Sequence, residues 1–315
     1  MRACFHPDYT IPLPPGHAFP MEKYRALYAL LLEEGLLSPE DVLEPGEADW
    51  SDLALAHSPA YLERLRTGTM DPKEIRRLGF PWSPRVLRRA RLAVQGTLNA
   101  TMLALQDGIA ANLAGGTHHA FADHGEGFCL LNDMAVAIRV WQRSGWIRRA
   151  LIVDLDVHQG NGNAALFADD PSVYTFSMHG AKNYPFQKPP SDQDVALPDG
   201  CRDAEYLEAL AEHLPRAFDA ARPDVVYYLA GVDPVAGDRF GRLAMSPAGL
   251  AARDRLVLET TRTEGVPVVL LLSGGYAASA AETARLHAIT HRVARDVYAP
   301  HPLPTGASHA EFRLP

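Results

Sequence analysis

Ala150-Leu151-Ile152-Val153-Asp154-Leu155-Asp156-Val157-His158-Gln159-Gly160-Asn161-Gly162 runs from an unbroken aliphatic block into a row of ionisable and polar side chains. The first half, residues 150–155, has strand length and no polar alternation, which fits a strand covered on both faces, as in a parallel sheet. In the second half, Asp156 and His158 are alternate residues of an extended segment and share one face. The stretch therefore predicts a buried strand that delivers chemistry at its carboxyl end.

Outward from it, residues 109–113, 173–177, 225–230 and 268–272 are similar aliphatic runs, separated by longer segments with helical character. Such alternation predicts βαβ units and one layered α/β domain with a mostly parallel central sheet flanked by helices. Helix starts are punctuated by Ser38-Pro39, Ser58-Pro59, Ser83-Pro84 and Ser246-Pro247, each with a hydroxyl at the N-cap and a proline at the first helical position. Val86, Ala90, Ala93, Val94 and Leu98 place one long amphipathic helix after Ser83. No repeat or interdomain linker interrupts the pattern, so the 315 residues read as a single domain with a proline-rich tail from about residue 300.

Polar clusters follow four of these strands: Gly115-Gly116-Thr117-His118-His119, Asp154 to His158, Gly231-Val232-Asp233-Pro234, and Ser273-Gly274-Gly275-Tyr276. Ligands of open α/β sheets bind at the carboxyl ends of strands, so the clusters are expected to meet in one crevice. Asp156, His158 and Asp233 would give one divalent ion two carboxylates and an imidazole, with an open position for water or substrate. Taken alone, Asp156 and His158 also describe a hydrogen-bonded pair at a strand end. Gly160 and Val235, the next alternate positions, cannot ligate, which favours one ion over two. The adjacent imidazoles of His118 and His119 need dedicated partners if buried. Asp154 and Asn161 are candidate acceptors for them, and an exposed loop pair is the alternative. Tyr276 has a phenol that would donate to an oxyanion, although the local sequence by itself favours a tyrosine packed over the turn.

Composition limits the partners. Lys and Arg total 30 against 38 Asp and Glu, a formal charge of −8, which argues against nucleic acid. The longest aliphatic run, residues 266–272, is broken by Pro267 and is far too short for a membrane span. Three scattered cysteines form neither a disulfide framework nor a cysteine-based zinc module, and with no secretory leader pattern the expected compartment is the cytoplasm. Arg64, Arg66, Lys73, Arg76, Arg77, Arg85, Arg88, Arg89 and Arg91 form a basic segment around Gly79-Phe80-Pro81-Trp82. It reads as a solvated helix face with acidic counterions, an acidic partner being the alternative.

HSPAYL from His57, RRLGFPWSP from Arg76, GGTHHA from Gly115, GFCLLND from Gly127, DLDVHQGNG from Asp154, YTFSMH from Tyr174, AGVDP from Ala230 and LSGGY from Leu272 together resemble the histone deacetylase superfamily over nearly the whole chain. Gln159-Gly160-Asn161-Gly162 is similar to its class IV branch and bacterial relatives, with Asn161 where many members carry Asp. The resemblance implies the arginase/deacetylase fold and hydrolysis of acetyl or longer acyl groups from lysine ε-amines of proteins or peptides. Acetylated polyamines or other small amines are the alternative substrates, and a non-catalytic acyl-lysine binding module is a third reading. It implies one catalytic Zn²⁺ (Fe²⁺ as the alternative) on Asp156, His158 and Asp233. It makes His118 and His119 the catalytic pair, partnered by Asp154 and Asn161, and Tyr276 the carbonyl-polarising group. Gly127, Phe128, Tyr184, Gly274 and Gly275 would line the acyl tunnel. A structural K⁺ or Na⁺ would draw on Asp154, Asp156, His158, Ser177, Phe167 and Val173. Because Asn161 is neutral and Asp154 anionic, His118 is expected to stay protonated while His119 serves as the neutral base.

Overall fold

A computed structural model of the chain describes residues 1–299; the proline-rich tail expected from about residue 300 lies outside the described residues. Eight strands form one sheet: β1 (Arg2–Cys4), β2 (Val42–Leu43), β3 (Ile109–Asn112), β4 (Ala150–Asp154), β5 (Val173–Gly180), β6 (Gln193–Leu197), β7 (Val225–Leu229) and β8 (Val268–Leu271). Their order is β2-β1-β3-β8-β7-β4-β5-β6, and every pairing is parallel. The five strands expected from aliphatic runs are present, each within three residues of its expected end. The three additional strands lie at the sheet's edges. β1 and β2 are very short, and β6 alternates buried with exposed residues, so none of them carries a continuous apolar block.

Among the described residues ten α-helices cover the sheet: α1 (Lys23–Glu33), α2 (Trp50–Leu53), α3 (Pro59–Thr67), α4 (Pro72–Leu78), α5 (Pro84–Asp107), α6 (Asp133–Arg143), α7 (Asn161–Phe167), α8 (Asp203–Ala221), α9 (Pro247–Thr263) and α10 (Ala280–Tyr298). The serine caps form where the sequence places them: Ser58, Ser83 and Ser246 accept from the backbone N–H groups of Tyr61, Val86 and Gly249 at 3.3, 3.2 and 3.0 Å. Ser38-Pro39 opens a short 3₁₀ turn instead of an α-helix. The 24 residues of α5 end on Gly108, whose φ of 84° lets the chain reverse directly into β3.

Register positions the site. β3, β8, β7 and β4 are neighbours, and Asn112, Leu271, Leu229 and Asp154 pair across them in a single row. The loops leaving these four strands therefore start side by side at the carboxyl edge. They carry His118 and His119, Tyr276, Asp233, and Asp156 and His158, respectively.

Candidate active site

His118 and His119 sit at the end of a loop that leaves β3 through Gly115 and Gly116, whose φ values of 76° and 75° are left-handed. Asp133, at the start of α6, fixes this loop by accepting from the N–H groups of Gly116 and Thr117 at 3.1 and 2.8 Å and from the Thr97 hydroxyl at 2.6 Å. The two imidazoles are buried, with ring centroids 4.0 Å apart. His118 Nδ1 meets Asp154 Oδ2 at 2.7 Å, and His119 Nδ1 meets Asn161 Oδ1 at 2.6 Å.

These partners give the rings opposite character. Burial opposes charge on His118, but Asp154 and Asp156 outweigh it and raise the ring to about 9. Burial, reinforced by the neighbouring positive rings, holds His119 well below the ordinary imidazole range. An amide oxygen can only accept, so His119 carries its hydrogen on Nδ1 and presents a free Nε2 lone pair.

Asp156, His158 and Asp233 each offer a donor atom, all buried and all within 4.8 Å of one another. Asp156 Oδ2 accepts from Ser273 Oγ at 2.7 Å and Gly274 N at 2.6 Å, while Oδ1 faces His158 Nδ1 at 2.9 Å. Asp233 Oδ1 accepts from Val157 N at 2.9 Å. Its Oδ2 is buried without a hydrogen-bond partner, 3.2 Å from His158 Nδ1. Burial and the Asp156 charge push Asp233 up to about 7; His158, despite its own burial, is drawn up to about 10 by the two carboxylates. Two buried carboxylates and an orphaned oxygen are the signature of a place that needs a cation, and two oxygens with one imidazole nitrogen suit a catalytic zinc.

Buried Arg253 ties the ligand-bearing loops together. Its Nη1 donates to the carbonyls of Gly231 at 2.6 Å and Leu155 at 3.3 Å, and its guanidinium pairs with Asp254 at 2.7 Å.

A cavity of about 360 Å³ opens onto this group. His119, His158 and Tyr276 stand at its buried end, and Gly127, Phe128, Tyr184 and Phe240 form its walls. Phe128 holds a φ of 68°, unusual for a bulky residue, which turns its ring into an aromatic cluster with Phe19, Phe80 and Tyr276. Tyr276 packs edge-on against Phe240 at 4.8 Å, and its backbone N–H is held by Asp238 Oδ2 at 2.7 Å. Burial, followed by Asp156 and Asp233, keeps its phenol protonated far above the usual range.

Two expectations need correction. Gly275 lines neither the tunnel nor the smaller cavity at its inner end, whereas Gly274 borders that smaller cavity with Phe128, His158 and Tyr276. Gly274 lies against the carboxylates of Asp156 and Asp233, where a Cβ would collide with both, and Gly275 lies against Val232 and His287. The residues proposed for a monovalent cation also fall into two places. Ser177 pairs with Asp154 in the sheet, but Val173 pairs with Ala150 four residues earlier, about 13 Å away. Phe167 belongs with Val173, to which Asp170 links it, so one ion cannot reach all six residues.

The sequence reading missed Asp133, Arg253, Lys23 and Glu126. Lys23 is buried below Tyr276, with Nζ donating to Ser273 O at 3.0 Å, and burial lowers it to about 8. Glu126 Oε1 accepts from Asn161 Nδ2 at 2.5 Å and from the Tyr184 hydroxyl at 2.6 Å. The basic segment divides as well. Arg64, Arg66, Arg88 and Arg91 have acidic counterions, as a solvated face requires, while Arg89 is buried and donates to Tyr9 O at 2.9 Å.

The histone deacetylase domain model matches residues 17–292. The chain belongs to the histone deacetylase family. It is 35% identical over 274 residues to Histone deacetylase 2 of Arabidopsis thaliana, covering 84% of this chain and 71% of that protein. It is 50% identical over 294 residues to an uncharacterized protein of Picosynechococcus sp., covering 93% and 98% of the two chains. The fold matches the crystal structure of a histone deacetylase homologue complexed with SAHA, with a TM-score of 0.77 and 24% identity over 94% of this chain and 88% of that one. The histone deacetylase-family member described here is thus a deacetylase-type hydrolase on an all-parallel α/β scaffold.

Proposed function

We propose that this family member is a zinc-dependent deacylase that removes an acetyl or longer acyl group from a lysine ε-amine. The observation that carries the reading is the pairing of two unlike imidazoles, one tied to a carboxylate and one to an amide, opposite a buried three-donor group. Asp156, His158 and Asp233 would hold the ion. When bound, it supplies Lewis acidity toward the acyl carbonyl and an adjacent water.

The protein's own groups supply the rest. Phe128 and Tyr184 flank the aliphatic stem of the acylated amine and keep water away from it. His119 takes the proton of the attacking water on Nε2 and later delivers it to the departing amine nitrogen. His118 remains an imidazolium against Asp154 and offsets negative charge as it develops. The Tyr276 hydroxyl donates to the oxyanion of the tetrahedral intermediate.

A test uses protein of defined metal content with acetyl-lysine peptide, long-chain acyl-lysine peptide and acetylspermidine. Chelator-sensitive hydrolysis of an acyl-lysine peptide is expected. Metal-loaded protein that hydrolyses none of the three would overturn the assignment.

A further inference from the structure

The mouth of the tunnel carries charge that the mechanism does not use. Arg77, Lys182 and Arg242 line the cavity and are exposed, as is Phe186 beside them, whereas the catalytic groups are buried at the other end. No carboxylate lines the cavity among the described residues. Neighbouring acids leave the rim net positive. Asp199 is shared by Lys182 at 3.6 Å and Arg242 at 3.3 Å, so one carboxylate serves two cations. Glu126 lies behind the wall, engaged by Asn161, Tyr184 and His124. Arg77 has no ion-pair partner among the described residues.

The rim is net positive although the whole chain carries a formal charge of −8. A net positive cluster at the entrance of a low-dielectric tunnel raises the local concentration of oppositely charged ligands. Between the cations and the metal-ligand group stand aromatic walls, so the charge meets what flanks the acylated amine and not the acyl group itself.

We propose that this site selects acylated amines carried by anionic molecules, with an acidic peptide segment around the acyl-lysine as the substrate class. The inference rests on the deacylase reading. It disfavours acetylated polyamines, whose remaining ammonium groups would face Arg77, Lys182 and Arg242. An aspartate or glutamate beside the acyl-lysine would pair with these cations while neighbouring apolar atoms cover Phe186.

The test compares acetyl-lysine peptides of one length flanked by Asp/Glu or by Lys/Arg, reading both kcat/KM and the Kd from fluorescence anisotropy. A small-molecule pair, 6-acetamidohexanoate and N-acetyl-1,5-diaminopentane, distinguishes a free carboxylate from an acidic peptide as the source of the anion. We expect about a tenfold preference for the acidic peptide at low salt. It should shrink as ionic strength approaches 1 M, where screening acts within about 3 Å. The double variant R77E/R242E, altered at exposed positions, should invert the order. Equal handling of both peptides, or a preference for the basic one, would overturn the inference while leaving the hydrolase standing. Charge-ordered binding without any hydrolysis would overturn the deacylase reading and leave the charge selection intact. A preference seen in the small-molecule pair but not in the peptides would overturn the assignment to acidic peptides.

Discussion

Asn161 links His119 to Glu126: its Oδ1 receives the Nδ1 hydrogen of His119 at 2.6 Å, and its Nδ2 donates to Glu126 Oε1 at 2.5 Å. The carboxylate thereby fixes which end of the amide faces the ring, and the amide fixes the tautomer of the base. Glu126→Gln retains an acceptor oxygen for both Asn161 and Tyr184 and should keep kcat within about threefold. Glu126→Ala leaves a buried amide donor unsatisfied at a cost of about 1–3 kcal/mol, and kcat should fall roughly tenfold to a hundredfold. Equal losses in the two variants would show that acceptor geometry is not what Glu126 supplies.

Replacing the neutral link by a charged one should move the pH profile. His119 acts as a base when unprotonated, and its pKa is held low by burial and by the neighbouring positive rings. In Asn161→Asp combined with Glu126→Gln, so that the new carboxylate does not face a second one, an anion adjoins Nδ1, which stabilises the imidazolium and raises that pKa. The acidic limb of kcat/KM should therefore shift to higher pH, most clearly in single-turnover measurements. A limb that stays in place would remove Asn161 from the control of the base.

Tyr276 offers a protonated hydroxyl at the buried end of the tunnel. Tyr276→Phe should lower kcat by about 10²–10³, the usual cost of one oxyanion donor, without loss of bound zinc by elemental analysis. Near-normal turnover in a zinc-replete variant would exclude the donor role.

Much of this site is written in local sequence, because chemistry follows each central strand within a few residues. Buried strands β4, β7 and β8 are nearly continuous apolar blocks, and the side chains that follow them lie at the carboxyl edge. The groups that tune the site are legible only through tertiary contact. Glu126 is separated by 35 residues from Asn161 and by 58 from Tyr184. Arg253 lies 98 residues from Leu155. Lys23 sits on α1 in a pattern that reads as an ordinary helix face, and no local spacing distinguishes it from a solvated lysine. Edge strand β6 escapes for a related reason: half of its side chains meet water, so it lacks the apolar run that announces its neighbours.

Metal binding should appear as stability independently of turnover. The donors are buried and the Asp233 Oδ2 atom is unpartnered, so zinc favours the folded state over the unfolded chain. At a thousandfold excess over Kd the gain is about 4 kcal/mol, equivalent to roughly 6 °C in Tm for 315 residues at about 2.1 cal/mol/K of unfolding entropy per residue. Differential scanning fluorimetry with zinc and with chelator should show the rise in the parent protein and not in Asp156→Ala. A shift of equal size in that variant would place the stabilising ion elsewhere.

Acid should destabilise the fold through His57, away from the catalytic groups. Its ring is buried between two backbone groups: Nδ1 donates to Phe121 O at 3.0 Å, and Nε2 accepts from Asn132 N at 3.0 Å. Asn132 caps α6, so protonating Nε2 would break the contact that holds that cap. Burial lowers the ring from 6.5 to about 4. Between these values the unfolded chain binds the proton and the folded chain does not. The stability associated with neutral His57 is therefore complete above about pH 6.5 and declines as pH falls toward 4, by about 3 kcal/mol in all. Urea unfolding of the parent protein and of His57→Gln from pH 7.5 to 4.5 measures this. The variant should start less stable and lose less on acidification; parallel pH dependences would remove His57 as the responsible group.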